Sequence, residues 1–273
     1  MTAIAAPRRV AVEETAAAGT SFALQVGILL SRLLRQLAVA PTTYINLMIS
    51  LFFLFVYTGA FGASQGFEQL IGAKFLTFIL PVSIVNASLA GSVAGQLLVS
   101  DLESGYLRRL QAMPISRLAI VLAPMLVGAL LVVAQAALVL GLGFAMGVES
   151  ATGVAGVAVV LALSLLWGMA FAGYAVATGL LAGNAATAQA ATFVFFPLVF
   201  LAPTFLPREQ LQDWLQAAAV INPTTYVLEA MRSVLIDGWQ LETLAAGFGV
   251  IGGLCLLASL WAARVARRTT ARR

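Results

Sequence analysis

Marking every charged residue along the 273-residue chain leaves five long blocks with none, at 36–67, 75–100, 118–148, 150–207 and 243–263. Within these blocks apolar residues follow one another without the alternation of a half-buried strand. A spanning helix takes about 20 apolar residues, so the long block 150–207 holds two spans and each of the others one. The polar interruption Gly183, Asn184, Thr187 and Gln189 divides that long block. Spans are therefore predicted near 42–63, 76–99, 118–147, 153–181, 186–205 and 243–263. A membrane barrel would instead show alternating segments of about ten residues. The fold class predicted is an all-α polytopic membrane protein with six transmembrane helices over 41–263.

Outside the blocks the period changes. Phe22, Val26, Leu29, Leu30, Leu33 and Leu37 recur at helical spacing, with Gln25, Ser31, Arg32, Arg35 and Gln36 opposite and Ile28 as the exception. This predicts an amphipathic interface helix over 20–40, ended by Pro41. Such a helix serves equally as a membrane anchor or as a protein contact. Residues 1–19, rich in Ala, Glu and Arg, are expected to form a disordered cytoplasmic tail, and 264–273 a basic one. The segment 206–242 holds two short amphipathic stretches joined by Asn222-Pro223. Leu211, Trp214, Leu215 and Ala218 make one face, and Tyr226, Val227, Ala230, Met231 and Val234 the other. At roughly 20 Å each they are too short to cross about 30 Å of hydrocarbon, so a re-entrant helix pair is expected. Glu229 and Arg232, three apart, are placed to pair or to stand as ordinary exposed charges.

Composition agrees with the pattern. With 61% hydrophobic and 10% charged residues, the chain is no soluble globule. If both ends share one side, that side holds twelve of the 15 basic residues, and only Lys74, Arg208 and Arg232 fall on the other. The positive-inside rule then puts both termini and the 100–117 loop in the cytoplasm. The net charge of +4 reflects this topology and anionic lipid, and implies no nucleic acid. The first 20 residues lack an apolar core, so no cleavable leader is expected and the first span would serve as signal anchor. Alanine richness and the preference for Arg over Lys point to a high-GC bacterium and hence a bacterial plasma membrane.

Several chemistries are excluded. The chain has no histidine, which removes Ser-His-Asp catalysis, histidine-ligated zinc and histidine proton relays. No acidic residue falls in a predicted span, against ion-coupled transport. Cys255 is the only cysteine, so neither an internal disulfide nor a metal cluster is expected. No G-x-x-x-x-G-K-[ST] loop is present, so any power from ATP must come from another chain.

Asp101, Glu103, Arg108, Arg109 and Arg117 form a charged island between two apolar blocks. Asp101 is expected to cap a short helix there, with Arg108 and Arg109 further along its dipole and Pro114 limiting it. The island reads E-S-G-Y-L-R-R-L-Q-A-M-P-I-S-R and resembles the cytoplasmic loop of ABC transporter permeases of the type-2 exporter family, closest in character to daunorubicin-type drug-resistance permeases. The match falls on Glu103, Gly105, Leu110, Pro114 and Ser116-Arg117, with Tyr106 where a small residue is more common. A second match, through Pro207, Trp214, Leu215, Asn222, Pro223 and Arg232, resembles the family's signature before its last helix.

The resemblance implies a transmembrane subunit of an ATP-driven exporter. Two such permeases, identical or similar, would pair with two ATPase subunits, which would bind ATP and Mg; this chain would hold no cofactor. Asp101, Glu103, Gly105, Arg108 and Arg109 are then candidates for ATPase coupling, and Trp214, Asn222, Pro223, Glu229 and Arg232 for an external gate. In related exporters the second and fifth helices line the substrate path. Ser83, Asn86, Phe193, Phe195 and Phe196 are candidates for it, against a reading as packed or lipid-facing residues. Pro81, Pro124 and Pro197 lie within spans and supply kinks. Ala87, Gly91 and Gly95 predict close helix packing. The expected cargo is a hydrophobic or amphipathic compound such as a drug, antibiotic or lipid; a polysaccharide exporter permease is the alternative within the family, and an unpowered channel, scramblase or assembly factor the alternative outside it.

Overall fold

The computed structural model describes residues 21–61, 66, 68–69, 72–86, 91–193 and 196–271. The expected tail 1–19, Ala87 and Phe195 lie outside the described residues. All regular structure among the described residues is helical. In chain order the helices are α1 (Phe22–Ala38), α2 (Pro41–Phe61), α3 (Phe75–Asn86), α4 (Val93–Glu103), α5 (Tyr106–Ala112), α6 (Arg117–Ala145), α7 (Gly153–Ala182), α8 (Ala185–Thr192), α9 (Phe196–Phe200), α10 (Asp213–Ile221), α11 (Pro223–Arg232) and α12 (Leu241–Ala271).

Among the described residues four helices are long and apolar enough to cross a membrane: Thr43–Ala60 within α2, Arg117–Ala145, Gly153–Ala182 and Leu241–Arg268. The sequence pattern predicted six. The predicted second span is present as α3 and α4, with 87–90 outside the described residues. The predicted fifth span is divided into α8 and α9, and the chain from Leu201 to Leu206 is not helical. Pro197 is the second described residue of α9, and 194–195 before it lie outside the described residues. Pro81 and Pro124 do lie inside helices.

α7 is the central element, packed on α12, α6 and α4. Close approach there depends on small residues. A Cβ on Gly95 would sit 2.3 Å from the Ala175 carbonyl oxygen, and one on Gly168 2.9 Å from Ala129 Cα. A Cβ on Gly128 would meet the Gly91 carbonyl at 2.9 Å. The expected contact through Gly91 and Gly95 is thus present, and it lets backbones touch.

Two apolar clusters divide the core by height. One gathers α1, α4, α5, the first half of α6 and the last turns of α7 and α12 around Leu29, Leu33, Leu98 and Leu110. The other gathers α2, α3, α11 and the opposite ends of α6, α7 and α12 around Phe75, Leu80, Leu228 and Met231. The first end carries most of the arginines and is called the basic end below. α12 continues past its apolar stretch to Ala271, so the basic tail begins as helix.

Candidate functional site

At the basic end α1 lies against α6. Ser21 opens the helix by accepting from the Leu24 N–H at 3.4 Å. Val26, Leu29, Leu33 and Leu37, one stripe along it, are buried. The Thr43 and Tyr44 hydroxyls donate back to the Leu37 and Ala38 carbonyls at 3.0 and 2.8 Å, closing its C-terminal end over the turn into α2. α1 packs on α6 through this stripe, while Phe22, Leu24, Ile28 and Leu34 remain exposed.

Its polar face is engaged as well. Arg32 donates two hydrogen bonds to the Asp101 carboxylate, at 2.9 and 2.7 Å. Its guanidinium lies 3.8 Å from the centre of the Tyr106 ring. Such a fork-to-fork pair fixes direction as well as distance, and the Asp101 hydrogen bond pushes the guanidinium pKa up. Two turns earlier on that side, the Gln25 side chain accepts from the Ser116 N–H at 2.9 Å. Arg32 and Gln25 thereby fasten both ends of the segment 101–116 to α1.

The segment itself departs from expectation at one point. Asp101 lies in the last turn of α4 and caps no helix; α5 starts at Tyr106. The macrodipole disfavours an acid at a helix C-terminus, and the Arg32 cation supplies the compensation. Gly105 joins α4 to α5 with φ +72°, a left-handed conformation that costs another residue about 1 kcal/mol or more. Leu107 and Leu110 are buried, whereas Glu103, Arg108 and Arg109 are exposed. Met113 is extended and Pro114 follows it, ending the helix as expected. Arg108 and Arg109 thus project from a short helix whose apolar side is anchored in the core, with Glu103 at the end of α4 and Arg117 at the start of α6 on either side of it.

The opposite end is organised around Arg232, 6% exposed. Its Nε donates to the Phe78 carbonyl at 3.1 Å, and its terminal nitrogens to Pro203 at 2.5 Å and Thr204 at 2.9 Å. The guanidinium carbon lies 3.5 Å from the centre of the Phe78 ring. Burial pushes its pKa down to about 9, which leaves it cationic at neutral pH. The expected pair with Glu229 is absent: Glu229 contacts Arg208 at 3.8 Å. The carbonyls left over where helix gives way at 201–206 attract the guanidinium more effectively than a half-exposed carboxylate does.

Asn222 is buried and performs two tasks. Its Oδ1 accepts from the Thr224 N–H at 3.0 Å, capping α11 with Pro223 at the first position, and its Nδ2 donates to the Leu198 carbonyl at 2.5 Å. Trp214 is 63% exposed on α10. The two stretches, expected at roughly 20 Å each, prove shorter: α10 has 9 residues and α11 has 10, followed by a π turn at Ser233–Asp237. The α6–α7 loop is pinned to that turn by Thr152 and Ser150, whose hydroxyls donate to the Val234 carbonyl at 2.7 and 3.3 Å.

Ser83 and Asn86 are buried in α3, a helix enclosed on nearly all sides. Asn86 is hydrogen-bonded to the Tyr57 side chain. Phe193 is 56% exposed, and only the backbone of Phe196 is described. Ser83 and Asn86 are thus enclosed in the core, whereas the Phe193 ring is exposed. Sequence reasoning missed Arg32, Tyr106, Pro203 and Thr204. The lone acid at the edge of an apolar block and the arginine on the polar face of α1 were the available signal for the first pair; backbone carbonyls leave none for the last two.

The chain matches a model of the ABC-2 type transporter family over residues 24–236, well over half its length. It is 27% identical over 217 residues to the daunorubicin resistance ABC transporter permease protein DrrB1 of Streptomyces coeruleorubidus, covering 78% of this chain and 72% of that one. It is 26% identical over 226 residues to the putative transport permease ycf38 of Cyanophora paradoxa, covering 81% and 78%. With the probable doxorubicin resistance ABC transporter permease protein DrrC of Mycobacterium tuberculosis it shares 21% identity over 183 residues, covering 67% and 66%.

Proposed function

The chain belongs to the ABC-2 type transporter family, and on that premise we propose that it exports a hydrophobic or amphipathic compound, driven by ATPase subunits that dock on α5. It is a membrane permease of an ABC transporter, a transport subunit whose hydrolysis takes place in separate chains. The finer reading is a complex of two permeases and two ATPases, with the basic end in the cytoplasm and α3–α4 and α8–α9 as the second and fifth of six spans. The drug-like cargo is supported by the names of two relatives and by apolar, aromatic spans that offer few charges.

The observation that carries the docking role is the Arg32–Asp101–Tyr106 junction. A helix of 7 residues has little stability by itself. Held against α1 by the Arg32 guanidinium on Tyr106, with Asp101 at the end of α4 hydrogen-bonded to the same arginine, and anchored in the core by Leu107 and Leu110, it becomes a stiff lever. A push on Glu103, Arg108 or Arg109 then moves α1, α4 and α6 together. Exposed charges at such a contact set orientation and register.

The test is to purify the full chain from native membranes and measure associated ATPase activity with and without candidate drugs. Glu103→Ala and Arg109→Ala are expected to weaken assembly or drug-stimulated turnover while leaving the chain folded. Normal assembly and full stimulation in both would remove the docking role. A chain isolated without any ATPase, with activity indifferent to ATP, would favour an unpowered channel or scramblase.

A further inference from the structure

On the side opposite the basic end, a cleft of about 390 Å³ opens between the first turns of α3 and α12 and the segment from Pro203 to Asp237. Its depth follows from the helices around it. Thr243 lies one turn into α12, a helix long enough to cross a membrane, and Phe78 one turn into α3, proposed above as the start of the second span. The cleft is therefore level with the lipid head groups, which add roughly 5 to 8 Å on each side of the hydrocarbon.

Its walls carry both signs of charge: the guanidiniums of Arg208 and Arg232, and the carboxylates of Glu209, Glu229 and Asp237. Arg232 is more than nine-tenths buried and reaches the cleft. A guanidinium has five N–H groups, and three contacts with the Phe78, Pro203 and Thr204 carbonyls leave two. Arg208 touches Glu229 only at 3.8 Å, beyond hydrogen-bonding distance, so a closer anion can displace that contact. Glu209 and Asp237 are exposed and form no ion pair among the described residues. The Asp237 carboxyl is raised by desolvation, a cost that a cation would relieve. A simple anion would face three carboxylates here, and a simple cation two guanidiniums. A group carrying both signs a few ångströms apart suits the whole wall.

We propose that this cleft binds the zwitterionic head group of a phospholipid, its phosphate on Arg208 and Arg232 and its ammonium on Glu209 and Asp237. The inference rests on the cleft and on its level in the membrane, and holds whatever cargo the permease moves.

The test uses the full chain in mild detergent and native mass spectrometry, titrating phosphatidylethanolamine against phosphatidylglycerol with the same acyl chains. Phosphatidylethanolamine is expected to be retained about tenfold better, the worth of one or two charge-assisted hydrogen bonds. The double variant Glu209→Gln/Asp237→Asn, altered only at exposed positions, is expected to lose that preference with its melting temperature unchanged. Arg208→Gln should weaken retention of both lipids. Equal retention of the two lipids by the natural chain, or a preference that survives the double variant, overturns the proposal. Glycerophosphoethanolamine, the same head group without acyl chains, separates the two sources of this chemistry. Failure to displace bound lipid supports the bilayer as the source, and displacement at micromolar concentration overturns the lipid in favour of a soluble zwitterion.

Discussion

Arg32 and Arg232 stand at opposite ends of the molecule and are held in opposite ways. Arg32 keeps 33% of its side chain in solvent and meets a carboxylate directly. Arg232 is buried, has no carboxylate within ion-pair distance, and is held by three carbonyl oxygens and one aromatic face. A partly exposed pair contributes modestly and can break and re-form. A buried cation that satisfies three carbonyls cannot move without leaving both itself and them unpaired, at several kcal/mol. The basic end is thus built as a joint, and the other end as a rivet. In a permease driven from one side, that difference separates the part that receives the push from the part that must travel as a unit with α3.

The largest effect of a substitution belongs to the rivet. Arg232→Met strips donors from the Phe78, Pro203 and Thr204 carbonyls and should cost about 3–5 kcal/mol, seen as a large fall in melting temperature in detergent. A variant as stable as the natural chain would show that the carbonyls find other donors. Next comes the packing between the ends. Gly95→Ala puts a Cβ within 2.3 Å of the Ala175 oxygen, against backbone that cannot yield, and should destabilise by roughly 1–3 kcal/mol. Gly252→Ala, where a Cβ meets nothing within 4 Å, is the matched control and should be nearly silent.

At the joint, Asp101→Asn should cost only about 1 kcal/mol of stability yet reduce ATPase coupling, since it loosens α5 without emptying the core. The smallest effect is expected at Glu229→Gln. Its contact with Arg208 is long and partly exposed, and desolvation raises its carboxyl pKa. An acid raised on folding opposes stability as pH climbs through its native pKa. The glutamine variant should therefore lie within about 0.5 kcal/mol of the natural chain and show a flatter decline from acid towards neutral pH. A steeper decline would mean that the ion pair matters more than burial.

The long spans were legible in the sequence because a charge-free run of about 30 residues has few other fates. The predicted 118–147 and 153–181 became Arg117–Ala145 and Gly153–Ala182. α1 was legible from its stripe, and the residues of that stripe are the ones buried against the rest of the chain. The broken elements were less so. Apolar composition persists through the region of Pro197 and through 201–206, and hydropathy does not register that the helix has stopped. The site was legible in its parts and not in its partners. The island's charges were visible, but Arg32 pairs with Asp101 across 69 residues, which no local spacing encodes. For Glu229 and Arg232, helical spacing made a pair available, and the nearby loose carbonyls offered better partners.

On the proposed docking at α5, the Arg32–Asp101 joint holds that helix where an ATPase drives it. The direct measurement is drug-stimulated ATPase activity of the assembled transporter for Arg32→Asp, for Asp101→Arg, and for both together. Each single reversal places like charges face to face and should abolish stimulation, and the double exchange should restore a substantial part of it. Full stimulation in either single variant, with the chain folded and assembled, would contradict the claim.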